Sequence, residues 1–253
     1  MEAFDTGLRD EHLEESMRRL PGPGYYRVLK WIHGFLKPAN YFEIGVHRGV
    51  SLDQARRETP CIIGVDPTPD IMPAIAKKPP TANARIYELT SDEFFERYDL
   101  TELLGGPLEY AFIDGLHLFE QVLRDFANLE KHSDDRTVIL LHDCIPFDEA
   151  TANRERTTDF YCGDVWKATL ALRRRRPELK MVIVRTAPTG LCLVTGLDNS
   201  NRAFEEELPE IERGYRDLGF DYYLAHREEM PEEIPCEVKA VGDWLRAGPL
   251  AQS

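Results

Sequence analysis

The segment Tyr41-Phe-Glu-Ile-Gly-Val-His-Arg-Gly49 is the feature that most constrains the fold. It predicts a short strand that runs directly into a glycine-containing loop. About twenty residues later, Ile62-Ile-Gly-Val-Asp66 predicts a second hydrophobic strand, which ends in a carboxylate. This arrangement is typical of a nucleotide-type pocket, because the glycines let the backbone approach a ligand and the acid accepts hydrogen bonds from ribose hydroxyls.

The glycine spacing narrows the kind of ligand. The pattern Glu43-x-Gly45-x-x-x-Gly49 differs from the G-x-G-x-x-G motif that binds a dinucleotide pyrophosphate. An NAD-dependent dehydrogenase is therefore the least favoured enzyme. A nucleoside ligand without phosphates, such as S-adenosylmethionine, fits the spacing better.

Strands and helices are predicted to alternate along the chain. We predict strands at Tyr41–Gly45, Cys61–Asp66, Arg85–Leu89, Tyr110–Asp114, Thr137–His142, Met181–Val184 and Leu191–Thr195, the last two as a hairpin. Helices are predicted from about Ser51, around Pro69–Lys77, from Thr90, over Phe119–Leu129 and over Asp164–Arg176, with a turn at Pro79-Pro80. This order predicts an α/β fold, a Rossmann-like, doubly wound and mostly parallel sheet with helices on both faces.

Two segments flank the predicted catalytic domain at 39–198. Residues 1–38 are predicted to form a helical N-terminal extension, in which Pro21-Gly-Pro-Gly24 separates two helices. Residues 199–253 are predicted to form a helical and acidic C-terminal extension, with a helix at Phe204–Tyr215.

Polar residues follow several of the predicted strands. Ligands of such sheets bind at the carboxyl ends of the strands, so Gly45, Asp66, Thr90, Asp114 and Asp143 are expected on one rim.

Asp114 lies in Phe112-Ile-Asp-Gly-Leu-His117. It could ligate a divalent cation or contact a ligand ammonium group, and His117 could act as a general base because its ordinary pKa is near neutrality. The alternative is that Asp114 caps the next helix.

The run Val138-Ile-Leu-Leu-His-Asp-Cys144 places a histidine and an acid directly after four aliphatic residues. Asp114 and Asp143 on neighbouring strands would form a hard oxygen site suited to Mg²⁺ or a similar cation. His142 could be a third ligand, or it could point to the opposite face, because successive strand residues alternate. A hydrogen-bonded helix cap is again the alternative.

Taken together, these motifs resemble the class I S-adenosylmethionine-dependent methyltransferases, and most closely the small-molecule O-methyltransferases of natural-product and sugar pathways. The resemblance covers roughly residues 40–197. It implies a seven-stranded sheet with a hairpin at its end. The segment 144–164 is rich in turn and polar residues, which predicts a lid that shapes the substrate pocket; a solvated insertion is the alternative.

The resemblance also implies roles for individual residues. Asp66 would bind the ribose hydroxyls, and the predicted catalytic pair is His117 and Asp143. Metal-dependent relatives often carry two adjacent acids after the fifth strand, where this chain has His142 before Asp143; the predicted metal ligands are Asp114, His142 and Asp143. Within the cofactor site, Glu43, Gly45 and Gly49 would frame the methionine part. Thr90, Ser91 and Asp92 would lie near the adenine. The full predicted cofactor site comprises Glu43, Gly45, Val46, Gly49, Ser51, Asp66, Pro67, Thr90, Ser91, Asp92 and Asp114.

Composition limits the partners. The 253 residues include 31 Lys and Arg against 45 Asp and Glu, a net charge of −14, so nucleic acid is an unfavoured partner. No apolar segment approaches the length needed to span a bilayer, and five widely spaced cysteines fit reduced thiols in a cytoplasmic protein. The expected partner is a small-molecule hydroxyl acceptor, and a homo-oligomer is a further expectation.

Three functions follow from these residues. The first is an O-methyltransferase that acts on a small-molecule hydroxyl, with Mg²⁺ assistance and a histidine base. The second is a methyltransferase fold that binds the nucleoside without turnover. The third is a metal-dependent enzyme of the same fold with different chemistry, such as hydrolysis or decarboxylation.

Overall fold

A computed structural model describes residues 6–55, 59–77 and 84–252. Its strands are β1 (Asn40–Ile44), β2 (Cys61–Val65), β3 (Ala84–Tyr87), β4 (Leu108–Ile113), β5 (Ser133–His142), β6 (Lys180–Arg185), β7 (Leu191–Thr195) and β8 (Glu232–Pro235). Its α-helices are α1 (Thr6–Arg19), α2 (Tyr25–Leu36), α3 (Val50–Ala55), α4 (Pro73–Ala76), α5 (Ser91–Arg97), α6 (Leu100–Leu104), α7 (Phe119–Glu130), α8 (Trp166–Arg175), α9 (Ala203–Tyr215), α10 (Phe220–Ala225) and α11 (Val238–Ala247). The predicted turn at Pro79-Pro80 lies outside the described residues.

The described strands form one sheet of order β3-β2-β1-β4-β5-β7-β6-β8. Strands β1 to β5 are parallel, while β7 runs antiparallel to both β5 and β6. This confirms the α/β, mostly parallel sheet and the hairpin. Strands β1 and β7 are buried along their whole length, as expected for strands covered by helices on both faces.

The predicted number of strands was wrong, because the sheet has eight strands rather than seven. The additional strand, β8, lies in the C-terminal extension and pairs parallel with β6, so the hairpin is not at the end of the sheet. Its sequence Glu-Glu-Ile-Pro shows no hydrophobic run, because it is an edge strand with only partial burial, where charge and proline are tolerated.

The helix predicted around Pro69–Lys77 was too long. Only Pro73–Ala76 is helical, with proline in the first turn, where its missing N–H costs nothing. The backbone N–H groups of Asp70 and Met72 instead donate to the carbonyls of His47 and Arg48. The segment before α4 is therefore hydrogen-bonded to the glycine loop and is not helical.

Two hydrophobic layers cover the sheet. One face packs against α5, α7 and α8, with Trp166 and Phe126 fully buried. The other face packs against α2, α3 and α11. None of the described helices is long and apolar enough to cross a membrane.

Candidate active site

A cleft of about 890 Å³ opens at the carboxyl ends of the parallel strands. All five residues predicted for this rim line it: Gly45, Asp66, Thr90, Asp114 and Asp143. The predicted residues Pro67, Ser91, Asp92, His117 and His142 also line it. The rule that loops at strand ends form the site therefore holds for this sheet.

The glycine loop after β1 requires glycine for steric reasons. Gly45 has a φ of +87°, and a Cβ atom there would lie 1.9 Å from the backbone oxygen of Asp114. Gly49 also has a positive φ and packs against Ile71. The loop can therefore approach the end of β4 closely, which brings the glycine motif and Asp114 together.

Asp66 is held in a fixed orientation at the end of β2. Its Oδ2 accepts a hydrogen bond from the backbone N–H of His47 at 2.7 Å, and its Oδ1 accepts one from Thr68 N–H at 2.8 Å. The carboxylate lines the cleft with free lone pairs on both oxygens, because each carboxylate oxygen can accept more than one hydrogen bond.

Four predicted cofactor residues do not line the cleft: Val46 and Gly49, which belong to the glycine loop, and Glu43 and Ser51, which lie beneath it. Glu43 is fully buried, and its carboxylate accepts hydrogen bonds from Tyr41 Oη at 2.8 Å and Ser51 Oγ at 2.5 Å. Burial raises the pKa of Glu43 to about 8, although these two hydrogen bonds act in the opposite direction. Glu43 therefore supports the loop from inside the protein.

A capping box formed by Thr90 and Glu93 begins α5, the helix predicted from Thr90. Thr90 Oγ1 accepts a hydrogen bond from Glu93 N–H, and the Glu93 carboxylate accepts one from Thr90 N–H. This motif fixes the turn after β3, so Ser91 and Asp92 face the cleft.

A cluster of two acids and two histidines lies at the ends of β4 and β5. His142 Nδ1 is 3.0 Å from Asp114 Oδ1 and 3.3 Å from Asp143 Oδ2. His117 Nδ1 is 3.2 Å from Asp143 Oδ2, and its Nε2 is 3.5 Å from Asp114 Oδ1. His142 therefore points toward both acids and not to the opposite face.

The charges in this cluster shift the pKa values of Asp114, His117 and His142. Burial opposes charge on Asp114, but the charge of His142 and hydrogen bonds from both histidines hold its pKa well below its ordinary range. Burial also opposes the imidazolium form of His117, yet Asp143 and then Asp114 raise the pKa of His117. The same two acids raise the pKa of His142 well above its ordinary value. The carboxylates thus strengthen His117 as a proton acceptor.

Both predicted catalytic residues have left-handed backbone conformations. The φ angles are +60° at His117 and +61° at Asp143, which non-glycine residues adopt rarely. Such conformations cost about 1–3 kcal/mol and are common at active sites, where the surrounding structure maintains them.

Part of that surrounding structure is the segment at 144–164. Gly163 has a φ of +61°, and a Cβ there would lie 2.0 Å from the backbone oxygen of His117. The ring of Tyr161 stacks on His117, with centroids 5.8 Å apart. Arg154 pairs with Glu120 and with the buried Asp164, so the segment is anchored to α7. It is a packed wall of the cleft rather than a solvated insertion.

The sequence did not reveal two further residues of the site. Tyr25, at the start of α2, lines the cleft and stacks on His142, with centroids 4.1 Å apart. Thr189, between β6 and β7, donates from Oγ1 to Asp143 Oδ1 at 2.5 Å. Tyr25 falls within the predicted N-terminal helical extension, and no local motif marks Thr189.

The first helix, α1, packs against the side of the cleft that carries the acid–histidine cluster. Ser16 Oγ donates to the Pro188 carbonyl at 2.7 Å, and His12 Nε2 lies 3.0 Å from Asp148 Oδ2. The backbone N–H of Tyr25 donates to the Ala187 carbonyl at 3.0 Å. The N-terminal extension is therefore part of the wall around the acid–histidine cluster.

Asp114, His117 and Asp143 offer donor atoms that all lie within 4.8 Å of one another, as a metal site requires. The buried Nδ1 of His117 lies 3.2 Å from Asp143 Oδ2 but lacks the alignment of a hydrogen bond. Two carboxylates and an imidazole suit a divalent cation such as Mn²⁺ as well as Mg²⁺. The third member of this set is His117, and the role of His142 as a ligand stays a prediction.

Comparisons with known proteins agree with this geometry. Residues 42–144 match a family model described as a methyltransferase domain. A comparison with curated proteins found no match.

Similar solved structures include a provisionally assigned O-methyltransferase from Klebsiella pneumoniae, with 16% identity over 75% of this chain and 89% of that chain and a TM-score of 0.52. The O-methyltransferase from Bacillus cereus in complex with SAH has 18% identity over 77% of this chain and 92% of that chain, with a TM-score of 0.51. At these identities the likeness concerns the fold. Residues 42–144 thus match a methyltransferase domain, and the chain has the Rossmann-like α/β fold of the similar methyltransferase structures.

Proposed function

We propose that this protein transfers the methyl group of S-adenosylmethionine to a hydroxyl of a small molecule. Asp114 and Asp143 would hold a divalent cation, and His117 would receive the hydroxyl proton. The observation that carries this proposal is the convergence of Asp114, His117 and Asp143 at one end of the cleft, directly beside the glycine loop.

The cleft suits the cofactor. Its volume of about 890 Å³ lies within the range of ligand sites, about 300–1,000 Å³. Asp66 presents a fixed carboxylate for the ribose hydroxyls, and the Asp114 carboxylate stays charged in its surroundings and can attract the cofactor ammonium group. S-adenosylmethionine would supply an electrophilic methyl group on a positively charged sulfur.

In the transfer, the bond from sulfur to the methyl carbon breaks as the bond from the acceptor oxygen forms, and the hydroxyl proton passes to a ring nitrogen of His117. Asp143, 3.2 Å from His117 Nδ1, stabilises the imidazolium that results. A divalent cation on the two carboxylates would acidify a hydroxyl bound to it and offset their attraction for the imidazolium. Tyr161 and Tyr25 stack on the two histidines and limit their rotation.

The proposal is tested first by calorimetric titration with S-adenosylmethionine and S-adenosylhomocysteine, in the presence of Mg²⁺, Mn²⁺ or EDTA. We expect micromolar binding of both nucleosides and heat from the cation itself. Methyl-labelled cofactor, offered with panels of sugars and phenols, then identifies the acceptor. Absence of binding under every condition would refute the proposal, and a cation-dependent reaction without the cofactor would favour the third function named above.

A further inference from the structure

Asp164 is a fully buried carboxylate to which the proposed reaction assigns no role. It lies in the segment Gly163-Asp-Val-Trp-Lys167, which joins the 144–164 wall of the cleft to α8. Its Oδ2 is 2.7 Å from Arg154 Nη1 and 3.0 Å from Lys167 Nζ. Burial of a charge is unfavourable unless opposite charges pair with it, so these two cations fix the carboxylate in place.

The other side of Asp164 contacts the turn that carries His117. Asp164 Oδ1 accepts a hydrogen bond from Phe119 N–H at 2.9 Å, and Asp164 N–H donates to the His117 carbonyl at 3.2 Å. Phe119 is the first residue of α7, and the side chain of Leu118 before it offers no cap. The first N–H groups of a helix have no partner within the helix. Asp164 supplies one from a distant segment, the role that the sequence left open for Asp114.

The two cations that pair with Asp164 also lie over the buried ring of Phe119. Arg154 Cζ is 5.6 Å and Lys167 Nζ is 5.4 Å from the centroid of that ring. Lys167 Nζ donates in addition to the Arg216 carbonyl at 2.8 Å, at the end of α9. Asp164 is therefore part of a charged network that joins the cleft wall, α7, α8 and the C-terminal extension.

His117 needs support from its surroundings because its backbone is left-handed, with a φ of +60°. This conformation is unfavourable for a residue other than glycine and persists only where neighbouring structure imposes it. On one side, Asp114 N–H donates to the Ile44 carbonyl and fixes the end of β4 in the sheet. On the other side, the two hydrogen bonds of Asp164 fix the His117 carbonyl and the start of α7. The chain between these fixed points is short, which confines His117 and directs its ring toward Asp143.

We propose that Asp164 is a positioning residue of the methyl transfer, which holds His117 in the conformation that directs its ring at the acceptor hydroxyl. The inference rests on the proposed function, because it assumes that His117 receives the proton. Asp164 itself is not among the residues that line the cleft. A misplacement of a reacting group by about 1 Å can lower a rate about 100-fold, so a residue that acts only through the backbone of His117 can control turnover.

The test is Asp164→Asn, which keeps the shape of the side chain. Whichever way the new amide turns, its NH₂ group faces either Phe119 N–H or the two cations, so one set of contacts is lost. In NMR spectra of protein with isotope-labelled histidine rings, the His117 signal, assigned with His117→Gln, should shift, while that of His132 should stay. Turnover with the acceptor identified by the panels should fall about 100-fold, and affinity for S-adenosylhomocysteine should change less than about 3-fold.

The matched control is Glu130→Gln, at the opposite end of α7. Glu130 is also a buried carboxylate, and it pairs with Arg176 at 2.7 Å and 2.8 Å. Each variant leaves a cation without its carboxylate, so both should lower the melting temperature. Only Asp164→Asn should move the His117 signal and lower turnover. An equal response in Glu130→Gln would show that a general loss of stability is the cause, and would overturn the positioning role.

The outcomes separate the two proposals. If the wild-type protein binds neither S-adenosylmethionine nor S-adenosylhomocysteine, the proposed function fails and this inference fails with it. If it binds them, a folded Asp164→Asn protein with an unchanged His117 signal or unchanged turnover overturns the inference alone. If the variant does not fold, hydrogen exchange of the wild-type Phe119 amide decides. Protection of that amide supports its hydrogen bond to Asp164, and exchange as fast as in an unfolded chain overturns the inference.

Discussion

The two ends of the cleft are constructed in different ways. At the end proposed to bind the cofactor, here called the cofactor end, backbone groups shape the site: two glycines with positive φ let the loop approach β4, and backbone N–H groups orient Asp66. At the end that carries the acid–histidine cluster, here called the catalytic end, two acids and two histidines contact one another, and two of the four have left-handed backbones. The cofactor end depends on local sequence, whereas the catalytic end depends on distant segments that pack around it.

The largest effect is expected from Asp143→Ala, which should affect one end of the cleft and not the other. Without this carboxylate the cation loses a ligand and His117 loses its partner, so turnover should fall by about 100-fold or more. Affinity for S-adenosylhomocysteine should change by less than about 3-fold. Transfer of a labelled methyl group measures turnover, and calorimetry measures the affinity. The control is Asp135→Ala, at an exposed acid of the same strand. Unchanged turnover would remove Asp143 from the mechanism.

The packing of the 144–164 segment is tested by Gly163→Ala. The new Cβ would overlap the His117 carbonyl, and the left-handed backbone disfavours alanine, so the free energy of unfolding should fall by about 2 kcal/mol or more. The control is Gly214→Ala in α9, where a Cβ meets no atom within 4 Å and helix propensity should give a gain of up to about 1 kcal/mol. Denaturant unfolding measures both. Equal stability of the two variants would show that the segment does not press on His117.

At the cofactor end, Glu43→Gln tests the buried carboxyl beneath the loop. The pKa of Glu43 is raised to about 8 in the folded protein, so between the ordinary carboxyl pKa and pH 8 the folded state holds a proton that the unfolded state has lost. The contribution of Glu43 to stability therefore falls as the pH rises through that window, by up to about 1.4 kcal/mol per pH unit, and is constant above it.

Glutamine has no proton to release, so the variant should lack this decline and should gain stability over the wild type as the pH rises from 5 to 8. Urea unfolding at several pH values measures the difference, with Glu96→Gln at an exposed position as the matched charge change. Parallel pH profiles for Glu43→Gln and the wild type would contradict the raised pKa.

The smallest effect is expected at Thr189, which contacts the catalytic end only through Asp143. Thr189→Val removes the hydrogen bond to Asp143 Oδ1 with little change of volume, and Thr189→Ser keeps it. We expect the valine variant to bind Mn²⁺ about 10-fold more weakly, the loss of one hydrogen bond to a charged group, and the serine variant to resemble the wild type. Calorimetry with the cation alone tests this, and equal weakening in both variants would indicate a packing role.

The sequence predicted the strand-end residues of both ends because each follows a hydrophobic strand, and the position of strand ends determines the rim. It did not predict Tyr25, Thr189 or the packing of the 144–164 segment, because these contacts join residues far apart in the chain. It also predicted Val46 and Ser51 as cofactor residues, which stays a prediction; in the structure Val46 is buried and the Ser51 hydroxyl donates to Glu43. A motif predicts which segments lie near a ligand, but packing determines which of their side chains point into the cleft.

The C-terminal strand β8 also could not be predicted from the sequence. Its four residues carry neither alternation nor a hydrophobic run. This partly buried edge strand is held by its backbone pairing with β6, by the packing of Ile234 and by the ion pair of Glu233 with Arg185. Such a strand can be recognised only from its pairing with a neighbouring strand in the folded sheet.

The position of Tyr25 and the first helix has a consequence for how such a chain can change over time. The wall beside the acid–histidine cluster comes from residues 12–25 and from the 186–190 turn, outside the matched range of 42–144. If the proposed function holds, mutations in that wall change which acceptor fits while the cofactor end stays intact. New acceptor preferences would then arise by single substitutions in the flanks, without passing through forms that no longer bind the proposed methyl donor.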